Sequence, residues 1–148
     1  MASDPVIAFD KVFELAARID ELMQATLTER GLTPARAEVL LALHHQGRPM
    51  VQRELGRALR CTARHVTALV DALEADGWVS RGRHPTDRRA TLVSLTEQGT
   101  AAADRMATER RDAAHALLGD LPTADLTGFV AVADHVLRHL DSAPTPVR

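Results

Sequence analysis

Residues 62–95 read TARHVTALVDALEADGWVSRGRHPTDRRATLVSL, and their periodicity changes in the middle. Thr62 is a hydroxyl cap. Val66, Leu69, Val70 and Leu73 then recur at three- and four-residue spacing, which predicts a helix over 62–76 with one apolar face. Gly77 ends it, because glycine enters the left-handed region at little cost. Trp78 to Arg83 and Ala90 to Leu95 alternate as strands do, with Trp78 and Val79 on one side and Thr91, Val93 and Leu95 on the other. Between them lies His-Pro-Thr-Asp-Arg-Arg, a polar loop with proline. The stretch predicts a helix followed by a two-stranded hairpin with a long basic tip.

Working upstream, residues 51–60 (VQRELGRALR) predict a short helix with Val51, Leu55 and Leu59 inward. Thr33-Pro34 starts a helix carrying Val39, Leu40 and Leu43, which stops near Gly47. Residues 6–29 predict a long helix capped by Asp4 or Ser3, with apolar residues from Phe9 to Leu27. Downstream, Thr96 caps an alanine-rich helix to about Leu118, with Ala102, Met106, Ala113 and Leu117 on one side. Residues 124–140 carry the cleanest apolar stripe in the chain, from Leu126 to Leu140. The tail 142–148, with two prolines, is expected to be disordered. The expected fold is mainly α with a small β-hairpin wing: a winged helix-turn-helix flanked by N- and C-terminal helices.

The chain of 148 residues has one cysteine, Cys61, so neither an internal disulfide nor a cysteine-based zinc cluster is available. Aromatics are scarce, so the core must be Leu, Val and Ala, which suits helix-on-helix packing. No apolar run approaches the ~20 residues of a membrane span, and no secretory signal is visible. The expected compartment is therefore the cytoplasm, with no membrane partner. No phosphate loop, nucleophile elbow, zinc motif or paired carboxylates point to an enzyme, and no cofactor is called for.

Charge is distributed unevenly. Residues 1–47 carry four basic and seven acidic side chains, 48–95 nine and five, and 96–148 five and eight. A basic middle between acidic ends reads as a surface that meets a polyanion. The helix 62–76 would then lie in a major groove, wide enough for a helix and distinct for each base pair. Its exposed residues are Thr62, Ala63, Arg64, His65, Thr67 and Ala68; Arg64 suits a guanine edge and the alanines permit close approach. Arginine at the hairpin tip suits the narrow minor groove, with Arg88 and Arg89 available. Asp87 can orient such an arginine through a charge-assisted bond. Arg81 and Arg83 are placed to reach phosphates.

Residues 69–99 resemble the MarR family, the multiple antibiotic resistance regulators. The marks are Leu73-Glu74 and Gly77, Arg81, Asp87-x-Arg89, and Leu95-Thr96 with Gly99; upstream, Gly31-Leu32-Thr33, Val39-Leu40 and Leu43 match as well. The resemblance extends over about residues 6–141. It implies a homodimer in which the helices of 1–31 and 96–141 interleave, and a DNA-binding domain at 32–95 with recognition helix 62–76 and wing 78–95. It further implies a regulator, most often a repressor, on a pseudo-palindromic operator of double-stranded DNA. Arg89 becomes the minor-groove candidate, Asp87 its orienting partner, and Arg88 an alternate inserter or phosphate contact. The signal the resemblance implies is a small phenolic or lipophilic ligand, a metal or an oxidant; a phenolic effector would sit in a crevice with Phe13 and Ala17 as walls and His44 or His45 as polar contact.

The chain also departs from the family pattern. Arg60 stands where the turn between the two helices often has glycine; it implies a strained or altered turn and offers a phosphate contact. The helix at 51–60 lacks a hydroxyl cap. Cys61 reads as a buried small apolar residue, against a redox role that needs an exposed thiolate. His135 and His139 have the i, i+4 spacing of a metal pair, but no third ligand is assured, and solvated histidines are the simpler reading. The alternative function is a ligand- or metal-binding protein of the same fold that no longer binds DNA specifically.

Overall fold

A computed structural model describes residues 4–143. Its elements are α1 (Pro5–Thr28), α2 (Pro34–Gln46), β1 (Met50–Val51), α3 (Gln52–Ala58), α4 (Ala63–Ala75), β2 (Val79–Arg83), β3 (Thr91–Leu95), α5 (Glu97–Leu118) and α6 (Thr123–Ser142). The chain forms two compact units, one ending at Ala107 and one starting at Thr108.

The caps that the sequence offered are used. Asp4 accepts the N–H of Val6, Thr33 that of Arg36, and Thr62 that of His65. Each side-chain oxygen takes one of the four N–H groups that a helix start leaves without a partner. Ser3, the other cap considered for α1, lies outside the described residues. Thr96 serves two partners at the start of α5: its Oγ1 accepts from Gly99 N–H (3.0 Å) and lies 2.6 Å from the Gly77 carbonyl.

The sheet corrects the expectation of a two-stranded hairpin. Its order is β1-β3-β2, all antiparallel. The wing register runs from Val79 opposite Leu95 to Arg83 opposite Thr91. On the other edge of β3, Met50 faces Val93 and Val51 faces Leu92. Val51 therefore belongs to a strand, and α3 begins one residue later than the sequence predicts. Buried Met50 anchors this strand to the core. Two residues are too few to show a strand's alternation, which is why the sequence did not announce it.

The core of the first unit is Leu27, Leu32, Ala37, Val39, Leu40, Leu43, Met50, Leu55, Val66, Leu69, Val70, Leu73, Val79, Val93, Ala103 and Met106. Leu40, Leu55, Leu73, Val70 and Val93 have no exposed surface. These residues come from α2, α3, α4 and the sheet, with the end of α1 and the first part of α5. No aromatic ring lies among the fully buried residues, in keeping with the composition.

The long apolar stripes of α1 and α6 are present, but little covers them. Only Leu27 of α1 is buried, while Phe9 and Phe13 are 60% and 62% exposed. In the second unit no residue of α6 is buried, and Phe129 is 60% exposed. On α5 the inward set is Gly99, Ala103 and Met106; Leu117, expected on that face, is exposed. Helix α6 extends through Ser142, into the first residue of the segment expected as a tail; 144–148, the rest of that expectation after Ala143, lie outside the described residues.

Candidate nucleic-acid interface

Helix α4 is held against α3 by a short, fully bonded turn. After α3, Arg60 N–H donates to Arg57 O (3.2 Å) and Cys61 N–H to Gly56 O (2.9 Å). That pair of bonds is a Schellman cap, which places the residue after the C-cap in the left-handed region. The residue is Arg60, at φ 54°, the one non-glycine residue with positive φ among the described residues. The strained turn expected from the sequence is therefore present. The same motif closes α4, through Gly77 N–H to Glu74 O and Trp78 N–H to Leu73 O, with glycine at φ 80°. Close approach of α3 to α4 depends on Gly56, where an added Cβ would lie 3.3 Å from Val66 Cγ1.

The face of α4 divides into used and unused groups. Thr62 is committed as the cap of the helix. Thr67 Oγ1 donates to Ala63 O (2.8 Å) and accepts from Gln52 Nε2 (2.9 Å), so its hydroxyl serves the fold first. Ala63, Arg64, His65 and Ala68 are exposed. The guanidinium of Arg64 has no ion-pair or hydrogen-bond partner among the described residues, and the same holds for Arg83, Arg88 and Arg89.

Arg81 corrects the sequence reading. It was expected to reach phosphates, but its side chain is only 23% exposed and is fully engaged. Its Nη1 lies 2.7 Å from Asp71 Oδ1 and 3.3 Å from Glu74 Oε1. Its Nε donates to Gln52 Oε1 (3.3 Å), its Nη2 to Thr67 O (3.4 Å), and its backbone N–H to Glu74 Oε2 (2.8 Å). One guanidinium on β2 thus joins the start of α3 to two turns of α4. Gln52 and Asp71 did not stand out in the sequence, and Glu74 did so only as a mark of the family resemblance, because partners 29, 10 and 7 residues away have no local pattern.

At the wing tip, Asp87 Oδ1 accepts the backbone N–H of Arg89 (3.0 Å). The orienting bond expected from the sequence therefore reaches the main chain of Arg89, leaving its guanidinium free to project. Ala90 N–H donates to Asp87 O (3.1 Å) and His84 N–H to Ala90 O (3.4 Å), closing the tip. Behind it, Glu54 bonds Arg48 (3.1 Å) and the N–H of Val51 (3.3 Å). The Arg48 guanidinium first, and that N–H second, hold the Glu54 carboxyl below the usual carboxylate range. Glu54 thus supplies the start of α3, which lacks a hydroxyl, with a partner for its cap N–H.

The residues expected around an effector are not brought together. His44 Nε2 lies 2.7 Å from Asp104 Oδ1, and His44 lines an open cleft of about 270 Å³ with Leu43, Gly47, Arg48, Pro49, Ser94, Leu95 and Thr100. His45, Phe13 and Ala17 are exposed and do not line it. Cys61 is half-buried against the core, and its Sγ lies 3.5 Å from Leu59 O. The rings of His135 and His139 lie 4.8 Å apart, and among the described residues no group of three or more His, Cys, Asp or Glu side chains could hold a metal. No single described helix is long and apolar enough to cross a membrane.

Residues 32–91 match the MarR family model. Among curated relatives, the HTH-type transcriptional repressor YetL of Bacillus subtilis (strain 168) is 29% identical over 94 residues, covering 63% of this chain and 56% of YetL. The HTH-type transcriptional regulator MhqR of the same strain is 33% identical over 81 residues, covering 55% of each chain. The chain thus spans just over half the length of these two relatives. Among solved structures, AbsC, a MarR family transcriptional regulator from Streptomyces coelicolor, superposes with a TM-score of 0.82 at 22% identity, over 97% of this chain and 99% of AbsC. Streptococcus pneumoniae FabT, solved in complex with DNA, superposes with a TM-score of 0.85 at 13% identity, over 93% and 98%. At those identities the structural likeness carries the fold, and the fold extends well beyond the matched segment. The helix-turn-helix and wing of residues 32–91 are thus where this chain is similar to the MarR family.

Proposed function

We propose that the protein is a dimeric DNA-binding transcriptional regulator, a repressor that grips a pseudo-palindromic operator and is released by a small ligand. In this reading residues 32–95 form the DNA-binding domain, and the helices of 1–31 and 96–141 form the dimer. The observation that carries it is the set of exposed, unpaired guanidiniums on one helix and its wing: Arg64, Arg83, Arg88 and Arg89. Elsewhere in this segment, Arg48 and Arg81 are paired with carboxylates, so the free set is not a general property of its arginines. Arg64 and His65 at the first turn of α4 would read base edges, and Arg89 would enter the minor groove with Arg88 on a phosphate. The repressor name of YetL and the DNA complex of FabT favour the same reading. Two-fold symmetry then requires half-sites ~34–36 Å apart, one helical turn.

The cleft beside His44 favours a second reading, a ligand-binding protein of this fold without specific DNA binding. Fluorescence anisotropy separates the two. The purified protein is titrated against the duplex upstream of its own gene and against a scrambled duplex, across a salt series. A regulator prefers the upstream duplex and loses affinity steeply with salt, because each neutralised phosphate releases counterions. No binding to either duplex at low salt overturns the proposal in favour of the second reading.

A further inference from the structure

We infer that His84 is a positioning residue of the wing: its neutral ring, through Nδ1, holds the turn that aims Arg88 and Arg89. The inference rests on the wing's proposed role at DNA. His84 is half-buried at the end of β2. Its Nδ1 accepts the backbone N–H of Thr86 (3.2 Å) and of Asp87 (3.0 Å), and the hydroxyl of Thr86 lies 3.3 Å from the same atom. Pro85 lies between, with its φ fixed and no N–H to place. A ring nitrogen that accepts two N–H groups is unprotonated, so the neutral ring carries its proton on Nε2. The i to i+2 and i+3 pattern is the one Asn and Asp side chains use to build turns.

The remaining bonds propagate from there. Asp87, fixed by His84, takes the N–H of Arg89 on its carboxylate and that of Ala90 on its carbonyl, and Ala90 O takes the N–H of His84. Across the tip from His84 to Ala90, only Arg88 keeps a backbone N–H without a partner. The tip makes no other hydrogen bond to the rest of the fold, so its shape depends on this closed circuit. A proton on Nδ1 would place an N–H where the two donors now point, so the circuit requires the ring in its Nε2–H form. Around the ring, Asp87 in the same turn and Glu54 of α3, itself paired with Arg48, are the carboxylates. Arg83, Arg88 and Arg89 are the neighbouring cations along the chain.

The test uses the full chain in three forms: wild type, His84→Asn and His84→Ala. In the free protein, ¹⁵N shifts of the imidazole should show a bare Nδ1 and a protonated Nε2. The amides of Thr86 and Asp87 should show hydrogen-bonded shifts in the wild type. They should keep those positions in His84→Asn, whose side-chain oxygen can accept the same bonds, and they should lose their bonded positions in His84→Ala. Against the upstream duplex, His84→Ala should bind about fivefold more weakly with an unchanged salt slope, as expected for loss of a positioning bond. His84→Asn should stay within about twofold of the wild type, a smaller change than loss of that bond. A proton on Nδ1 in the neutral ring, or amides that ignore His84→Ala, overturns the inference. So does an equal weakening in both variants with a slope lower by about one, which marks a direct phosphate contact. If no duplex is bound, the proposed function fails, while the measurements on the free protein still decide the role of His84.

Discussion

Arg60 and Gly99 are two residues whose backbone surroundings set opposite expectations for substitution. Arg60 sits at φ 54° in a cap whose counterpart after α4 is Gly77. An L-residue there costs about 1–2 kcal/mol relative to glycine. Arg60→Gly should therefore raise stability by about 1 kcal/mol, read as a higher denaturation midpoint at fixed protein concentration. The same variant tests the phosphate contact that the sequence suggests: a salt slope lower by about one would show that Arg60 meets DNA. Gly99 is the reverse case. A Cβ built there would lie 1.9 Å from the Trp78 carbonyl oxygen, which is backbone and cannot swing aside. Gly99→Ala should lower stability by about 3 kcal/mol, by driving the first turn of α5 off the sheet. An unchanged midpoint would mean that this approach is looser than the structure has it.

At the scale of elements, the wing and α4 are one unit because Arg81 joins them. Asp71 and Glu74 put two carboxylates on α4, which in the proposed function would otherwise present negative charge beside a polyanion. Arg81→Met keeps much of the buried stem and removes the guanidinium. It should weaken DNA binding while leaving the salt slope unchanged, since a bonded interior arginine neutralises no phosphate. Arg89→Ala should weaken binding and lower the slope without altering the dimer; a slope that falls equally in both would return Arg81 to the phosphate-contacting set.

The elements themselves were legible wherever a period or a cap extended over several residues. The stripe Val66-Leu69-Val70-Leu73 and the caps Thr62 and Thr33 gave α4 and the start of α2 nearly to the residue. Strand β1 was not legible, because two residues carry no period. The exposed arginines could be named from charge and position. The committed one, Arg81, could not, because its fate depends on Gln52 and Asp71, which only the folded chain brings near. The effector crevice had no such anchor: His44 lines a cleft whose walls do not include Phe13, Ala17 or His45.

At the scale of the whole molecule, the question is what covers α1 and α6. A soluble chain rarely leaves contiguous apolar surface of more than a few hundred Å² uncovered. Here α1 exposes Val6, Phe9, Val12, Phe13, Ile19 and Leu22, and α6 exposes Phe129, Val130, Val136, Leu137 and Leu140. Full burial of such a side chain contributes about 1.5–3 kcal/mol, so in the proposed dimer pairing these faces between two copies would be a large term. The basic α4–wing surface uses none of these residues. Phe9→Glu and Phe129→Glu should each shift the protein from dimer toward monomer in sedimentation velocity. Each places a charge where a partner's apolar face would have to desolvate it. Because a palindromic site is held by two linked modules, the monomer should also lose affinity by orders of magnitude for a full operator, while a single half-site binds as before. A dimer that survives both substitutions would mean that these helices are covered by something other than a second copy, and the half-site spacing of one helical turn would lose its basis.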